Sequence, residues 1–380
     1  MARIFGARRV GVALLVATSL IWAAHAQEPV HPEGHFSGSQ PDAMSSRHTR
    51  SGKQLFTRGE FGGNGRTCET CHTLETGDVT LDHIRTRFVE DPSDPLFRAI
   101  DSDDGSGVAY DRLLTHATFR VFVDLPSNIR LADDPGATRV ALFRSTLPTN
   151  NIALDPFIMW DGREPDLPHQ AFDAFVTHSE ITEPPSLQEL QRIADFQERQ
   201  LFSSHALDRF ANGGPPPSLP EGHTPSERRG RAFFIPTPGV VNCSLCHSGP
   251  MLNETLPSVP MQVPPGSRFT DTLVSALNQT GLPLRTYIVT KSDGSTATVT
   301  TSDPGRMLVS GDPTDVNRFK QPTLWGVKNT APYFHDNSAK TLEDVLEHYD
   351  FFLRRAGAQF GFRGFTAQDK SDIIAFLKLL

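Results

Sequence analysis

Apolar residues recur at helical spacing in several stretches of the chain, whereas continuous β-branched runs are few and short. A short helix is predicted from Ser51, and helices opened by a polar cap are predicted after Ser186, Thr224 and Thr341. A last helix is predicted from Thr366 to the end of the chain. The pattern therefore indicates a mainly helical protein.

Three of these helices have an apolar face that follows from the spacing. After Ser186 the predicted face consists of Leu187, Leu190, Ile193 and Ala194. In the last helix the predicted buried residues are Ile373, Ile374, Phe376 and Leu377. After Thr341 the face consists of Leu342, Val345, Leu346, Tyr349 and Leu353. Tyr349 is therefore expected to point into the protein.

Strands are predicted only in short segments. Residues 118–125 and 137–142 are β-branched runs, and a hairpin is predicted around residues 291–296 within a stretch, 251–304, that is otherwise rich in Pro, Thr and Ser. Residues 213–223 are rich in Gly and Pro and predict a linker between two domains. With 380 residues, the chain is long enough for two domains of ordinary size.

The beginning of the chain has the pattern of an export signal. Residues 1–26 combine three arginines, an apolar run too short to span a bilayer and a small-residue cleavage site at Ala24–Ala26. Residues 27–50 have no apolar period and are expected to form a flexible leader. We expect the mature protein in the periplasm, without membrane insertion after signal cleavage.

Two copies of Cys-x-x-Cys-His carry the candidate chemistry. They are Cys68-Glu-Thr-Cys71-His72 and Cys243-Ser-Leu-Cys246-His247, and together they use all four cysteines of the chain. This spacing is typical of covalent haem c attachment, with two thioethers to the porphyrin and the histidine on its iron. One such motif alone could be a surface turn, a redox dithiol or half of a zinc site. Two motifs without a spare cysteine predict two haem c groups.

The segments before the two motifs resemble each other. Gly52 with Leu55-Phe56 matches Gly230 with Phe233-Phe234, at similar distances from the cysteines. The prediction is two tandem cytochrome c-like domains, each with one covalent haem. The N-terminal domain covers residues 51–212, and the C-terminal domain covers residues 224–380.

The charge of the chain excludes some partners. The formal net charge is −8, and it becomes −11 when the three signal arginines are removed. An acidic surface disfavours nucleic acid and anionic lipid and suits a basic redox partner. The acidic segment 101–107 lacks the ligand spacing of a calcium loop and is expected to be a solvated turn.

Residues 159–164, Gln170, Glu180 and residues 318–336 carry further motifs outside the haem sites. Together with the two haem motifs, they resemble the bacterial dihaem cytochrome c peroxidase family, which includes MauG. Residues 159–164, Met-Trp-Asp-Gly-Arg-Glu, resemble the family's tryptophan signature. Gln170 and Glu180 follow Trp160 by ten and twenty residues, where the family has its catalytic glutamine and glutamate. Residues 318–327 and 330–336 resemble its closing motif, so the similarity covers most of residues 50–380.

The resemblance implies a division of labour between the two haems. The first reacts with hydrogen peroxide, the second passes or stores electrons, and Trp160 relays electrons between them. Glu180 would move a proton from one peroxide oxygen to the other as the O–O bond breaks, and Gln170 would orient the peroxide. His72 and His247 would be the axial iron ligands.

The chain departs from conventional family members at the second haem. They have a distal methionine fourteen residues beyond the histidine that matches His335, where this chain has Tyr349, as MauG does. A phenolate ligand stabilises ferric iron and lowers the potential, which makes this haem a poor acceptor from an ordinary cytochrome c. Met307, sixty residues after His247, is the rival ligand, and a core tyrosine is the alternative interpretation.

Two further family features are altered. No histidine lies between His116 and Trp160, where conventional members have a residue that blocks the first haem, so reductive activation is not expected. The family's calcium ion is held in part by backbone oxygens at the positions of Thr330 and Pro332. The family also has an asparagine ligand ahead of Trp160. The corresponding position in this chain falls near Ser145, so the prediction of calcium is weaker.

These observations leave three functional hypotheses. The first is a periplasmic dihaem peroxidase that reduces hydrogen peroxide to water with electrons from a small c-type cytochrome or a cupredoxin. The second is a MauG-like peroxide-dependent oxidase of a protein or organic substrate, which Tyr349 and the missing histidine favour. The third is a non-enzymatic dihaem electron carrier. The resemblance also allows a homodimer, although no interface can be identified in the sequence.

Overall fold

The computed structural model describes residues 50–256 and 266–380, which belong to one compact unit. The predicted signal peptide and the leader up to residue 49 lie outside the described residues. None of the helices in the described ranges is long and apolar enough to cross a membrane.

Helices make up most of the regular structure in these ranges. Their bounds are α1 Gly52–Arg58, α2 Cys68–Cys71, α3 Leu81–Glu90, α4 Asp111–His116, α5 Leu167–Thr177, α6 Leu187–Gln200, α7 His205–Ala211, α8 Pro225–Ala232, α9 Val274–Leu277, α10 Met307–Ser310, α11 Leu342–Ala356 and α12 Ala367–Leu377. Short 3-10 helices occur at Ala99–Asp101, Ile152–Leu154, Cys243–Leu245, Pro313–Asp315, Val327–Asn329 and Ala358–Phe360. The predicted mainly helical fold with few short strands is confirmed.

The strands are short and antiparallel. Their bounds are β1 Phe119–Asp124, β2 Ile129–Leu131, β3 Arg139–Arg144, β4 Phe269–Thr270, β5 Arg285–Thr290, β6 Thr296–Thr301 and β7 Phe319–Lys320. β1 pairs with β3, as the two β-branched runs predict, and β5 with β6 forms the predicted hairpin. β2 pairs with β5, so segments from both sides of the predicted linker share one sheet.

The capping signals explain where the longer helices begin. Ser186, Thr224 and Thr341 each accept the backbone N–H three residues later, and the acidic residue at that position binds back to the cap. Thr366 caps α12 in the same way. The predicted faces of α11 and α12 are confirmed. In α6 the prediction was wrong for Leu187, which is 74% exposed, because the first residue of the helix lies beyond the packed face.

The helix before each haem motif crosses a later helix at a glycine. α1 packs on α6, and a Cβ at Gly52 would overlap the backbone of Arg192. α8 packs on α12, and a Cβ at Gly230 would overlap the backbone of Asp372. Glycine is required at both crossings because the backbones approach so closely.

Aromatic contacts repeat at the same two crossings. The rings of Phe56 and Phe196 lie 5.4 Å apart, and those of Phe234 and Phe376 lie 5.1 Å apart. Phe56 follows Gly52 by four residues and Phe234 follows Gly230 by four residues, as the internal resemblance predicts. The bounds of the two predicted domains stay a prediction.

Candidate haem sites

The two motif histidines are held in the same way. Nδ1 of His72 lies 3.1 Å from the carbonyl oxygen of Gly77, and Nδ1 of His247 lies 2.9 Å from that of Leu252. In each case the carbonyl belongs to the fifth residue after the histidine. A hydrogen bond from Nδ1 fixes the tautomer in which Nε2 has the lone pair, which is the usual arrangement of an iron-ligating histidine.

Both histidines are also kept neutral by their surroundings. Burial lowers the pKa of His72 and of His247, and the backbone bonds only partly offset this effect. His178, which lies nearby, lowers the pKa of His72 further. A neutral imidazole is the form that binds a metal.

The four cysteines lie in surroundings that disfavour the thiolate. Burial raises the pKa of Cys68, Cys71 and Cys243 to about 12 and that of Cys246 to about 11. None of the four forms a disulfide. A redox dithiol instead needs a lowered thiol pKa, so this alternative for the motifs is disfavoured. The donor set fits thioether attachment of haem c at each motif.

A cavity of about 220 Å³ adjoins the second motif. By the same measure one water molecule needs about 10–15 Å³, so the space is far larger than a packing defect. Its walls include Cys243, Cys246 and His247 together with the inward face of α11. The cavity is thus suited to a large flat apolar group attached at these cysteines.

Tyr349 projects from α11 into this cavity. Its ring lies 6.4 Å from the ring of His247, nearly perpendicular to it, and burial raises the pKa of its hydroxyl. The hydroxyl makes no hydrogen bond within the described residues. Met307 is fully buried elsewhere, among the strands that contain Val121 and Tyr287. The structure therefore brings Tyr349, and not Met307, to the motif histidine.

Trp160 lines the same cavity. Its indole Nε1 donates to the carbonyl oxygen of Ser145 at 3.0 Å, and its ring lies 6.4 Å from that of His335. The backbone N–H of Ser145 in turn donates to the carbonyl oxygen of His335 at 2.7 Å. Trp160 is thus tied to the closing motif of the second half of the chain.

A buried ion network lies next to Trp160. Arg144 donates two hydrogen bonds to Asp303, at 2.6 and 2.8 Å, and one to Asp161 at 2.6 Å. Arg163 also contacts Asp161, at 3.0 Å. Burial alone would raise the pKa of Asp161, but the charges of Arg144 and Arg163 hold that pKa below its usual range. The network connects the tryptophan signature to residues of the second half.

The other two predicted functional residues, Gln170 and Glu180, belong to α5 and to the loop that follows it. Gln170 is half-buried on α5, and Glu180 is exposed in the loop after that helix. Ala171 and Phe175 of α5 belong to the apolar cluster against which Cys68 packs. The loop of Glu180 contacts the loop before Cys68, through the side chain of Asn64.

Three polar residues near these sites were missed by the sequence reasoning. Asn64 donates to the carboxylate of Glu180 at 2.9 Å. Asp78 lines the cavity, and burial raises its pKa to about 7, although hydrogen bonds from Thr146 and from a backbone N–H oppose that rise. Burial and the neighbouring Asp173 raise the pKa of Glu164 to about 7. The contacts of Asn64 with Glu180 and of Asp78 with Thr146 are long-range, so no local spacing indicates them.

Ser145, Thr330 and Pro332, the positions named for the predicted calcium site, line the same cavity. Calcium stays a prediction. In the acidic segment 101–107, residues 104–106 are exposed, as expected of a solvated turn, whereas Asp101 at its start is fully buried and binds Arg66 at 2.5 Å.

No known family model matches the chain. The curated cytochrome-c peroxidase IdrP2 of Denitromonas iodatirespirans is 28% identical over 189 residues, which are 48% of this chain and 46% of the relative. Cytochrome c551 peroxidase of Nitrosomonas europaea is 43% identical over 76 residues, which are 20% of this chain and 21% of the relative. The chain thus matches less than half the length of these curated relatives.

Solved structures of similar overall extent also match. A MauG-like protein associated with microbial copper homeostasis has a TM-score of 0.48 and 18% identity, covering 86% of this chain and 87% of the other. The diheme peroxidase BthA from Burkholderia thailandensis has a TM-score of 0.43 and 14% identity, covering 90% and 86%. Both TM-scores are below 0.5.

Proposed function

We infer that this chain, a distant relative of the dihaem cytochrome c peroxidase and MauG-like family, reduces hydrogen peroxide to water. The curated relatives confirm the family resemblance of the motifs. They cover only part of the chain, so its activity, electron donor and location are proposals. The predicted signal peptide supports a periplasmic enzyme, and a small c-type cytochrome or a cupredoxin is the proposed electron donor.

One observation favours a reaction with peroxide over simple electron transfer. The loop with Glu180 is joined by hydrogen bonds to the loop that leads into Cys68, although the two are separated by more than 100 residues in sequence. A carboxylate at the edge of a haem site is the group that peroxide reduction needs for proton transfer. A protein that only carried electrons would have no use for it.

Peroxide reduction consumes two electrons and two protons for each two water molecules formed. Cys68, Cys71 and His72 would hold one haem c, and the second motif would hold the other. When bound, haem c supplies the electrons and an open iron position for peroxide. Glu180 accepts a proton from one peroxide oxygen and returns it to the other, so that the second oxygen leaves as water rather than hydroxide. Gln170 orients the peroxide by hydrogen bonding.

Trp160 is the proposed electron relay between the two sites. It lines the cavity next to His247, and its hydrogen bond to Ser145 holds the indole in one orientation. Electrons that enter at the second site would pass through this side chain toward the first. The buried network around Arg144 keeps the tryptophan segment in place against the second half of the chain.

The MauG-like oxidase is the second candidate, and the position of Tyr349 favours it. Tyr349 and His247 would hold the second haem, and a phenolate ligand would lower its potential, which disfavours an ordinary cytochrome c as the donor. An anaerobic titration of the diferric protein with hydrogen peroxide separates the alternatives. A change of the haem absorption bands without prior reduction supports the oxidase, a change only after one-electron reduction supports a conventional peroxidase, and no change in either state leaves the electron carrier.

The assignment of Glu180 is tested by Glu180→Gln, with Glu198→Gln on the exposed face of α6 as the matched control. We expect Glu180→Gln to slow peroxide reduction by about 10²- to 10⁴-fold, the usual contribution of a positioned acid–base group. Haem content and the ferric absorption spectrum should stay unchanged, and the control should have full activity. Equal activity of Glu180→Gln and the native protein would refute the assignment.

A further inference from the structure

Two loops that are distant in sequence are joined beside the first haem motif. The backbone N–H of Asn64 donates to the carbonyl oxygen of Ser179 at 2.8 Å. The hydroxyl of Thr182 donates to the carbonyl oxygen of Gly62 at 2.9 Å, and the N–H of Glu183 donates to that of Phe61 at 3.0 Å. The segment after α5 is therefore attached to the segment that leads into Cys68.

The side chain of Asn64 lies at the centre of this contact. Its Nδ2 donates to the carbonyl oxygen of His178 at 2.9 Å and to Oε2 of Glu180 at 2.9 Å. Its Oδ1 accepts the backbone N–H of Arg66 at 3.2 Å. If the amide were flipped, Oδ1 would face the carbonyl oxygen of His178 and the carboxylate of Glu180, and neither of these can donate a hydrogen bond. The three partners therefore determine the orientation of the amide.

Glu180 depends on this amide for its position. Its backbone has φ of 50°, in the left-handed region, which a residue other than glycine occupies only when its surroundings hold it there. Within the described residues its carboxylate has no other hydrogen bond and no ion pair. Without Asn64 the exposed side chain would be free to sample several rotamers.

Arg66, whose backbone N–H binds Oδ1 of Asn64, is itself held firmly in place. Arg66 is 1% exposed, and its guanidinium binds Asp101 at 2.5 Å and the carbonyl oxygens of Pro95 and Leu96. Arg66 also donates to the carbonyl oxygen of His178 at 3.3 Å. The amide of Asn64 therefore connects the carboxylate of Glu180 to a rigid buried anchor.

We propose that Asn64 is a positioning residue, which holds the carboxylate of Glu180 in the place where it exchanges protons with peroxide. This inference rests on the proposed function. Asn64 touches neither the peroxide nor the haem in this role, and it acts through one charge-assisted hydrogen bond. Catalytic groups need positions that are fixed to a fraction of an ångström, which a single flexible exposed carboxylate does not have by itself.

The test compares Asn64→Asp with Asn128→Asp in the haem-loaded protein. Asp has the shape of Asn but no donor, and next to Glu180 it adds a like charge. Asn128 is also half-buried and donates from Nδ2 to two acceptors, the carbonyl oxygens of Thr290 and Gly311, so it is a matched control far from the motif. Asn64→Ala removes the donor without a new charge and serves as the second variant.

Two rates are measured, both by haem absorbance. The first is the reaction with hydrogen peroxide, measured in the redox state in which the native protein reacts, diferric or one-electron-reduced. The second, in the same redox state, is the binding of cyanide, which requires a base to accept the proton of HCN but no turnover. We expect both Asn64 variants to slow both rates by about 10- to 100-fold, which corresponds to one lost hydrogen bond to a charged group. Asn128→Asp should have native rates.

The double variants Asn64→Asp/Glu180→Gln and Asn64→Ala/Glu180→Gln distinguish positioning from a general structural effect. If Asn64 acts through Glu180, neither Asn64 substitution should slow Glu180→Gln further. Equal slowing in both backgrounds would overturn the proposal, and so would native rates in Asn64→Ala. If Glu180→Gln itself has native rates, the proposed function fails, and the inference fails with it. If Asn64→Asp does not bind haem, the comparison of Asn64→Ala with Asn64→Ala/Glu180→Gln tests the proposal in the same way.

Discussion

Loss of the Arg144 side chain should destabilise the protein strongly. It and its two partners are almost fully buried, with side-chain exposures of 2% for Arg144 and 0% for Asp161 and Asp303. Arg144→Met removes the cation and keeps the length of the side chain. Asp161 still has Arg163, but Asp303 then lies buried without a counter-ion.

The expected loss follows from the burial of this pair. Removing one partner of a buried ion pair destabilises a protein by about 3–5 kcal/mol, because the remaining charge is neither solvated nor paired. Arg139, at the other end of β3, contacts Asp124 at 3.5 Å with exposures of 61% and 81%. Arg139→Met on the same strand should therefore cost only about 0–1 kcal/mol.

Urea unfolding of the haem-loaded variants, followed by far-ultraviolet circular dichroism, measures both losses. The double variant Arg144→Met/Asp303→Asn should be less destabilised than Arg144→Met, because no unpaired charge remains at Asp303. A loss below about 1 kcal/mol in Arg144→Met, equal to that of Arg139→Met, would refute the reasoning that burial determines the cost.

The same comparison should depend on pH. In the native protein the pKa of Asp161 is held low, so its contribution is complete above the unfolded pKa of about 3.9 and is lost as the pH falls through the lower folded value. Arg144→Met removes one of the two charges that hold this pKa low, so the difference in unfolding free energy between the two proteins should become smaller as the pH falls below about 4, and an increase would contradict the sign.

The remaining predictions concern the second haem and one helix cap. Tyr349→Phe should change the absorption spectrum of the second haem and Met307→Ala should not; the reverse pattern would make Met307 the ligand. Met307→Ala should instead lower the unfolding free energy in urea by about 2–5 kcal/mol, because Met307 is fully buried. Ser186→Ala removes the hydroxyl that accepts the N–H of Glu189 and should cost about 1 kcal/mol in thermal unfolding, and an unchanged stability would contradict the cap.

Local features of this protein were readable in the sequence. The two Cys-x-x-Cys-His motifs, the capping boxes and the apolar face of α11 each depend on residues within one or a few helical turns, so their spacing alone predicts them. The resemblance of residues 159–180 and 318–336 to a known family added the candidate roles of Trp160, Gln170 and Glu180. The exposed position of Leu187 is a failure of the same local rule at a helix end.

Only the tertiary structure decided which distant residues meet. Asn64 and Glu180 are 116 residues apart, and Arg144 and Asp303 are 159 apart. From the sequence, either Tyr349 or Met307 could be the second ligand of the haem held by His247. In the fold, Tyr349 lines the cavity next to His247, whereas Met307 is buried among the strands. Periodicity indicates which side of a helix or strand is buried. Which distant residue contacts that side depends on the path of the whole chain, so the sequence alone does not determine these contacts.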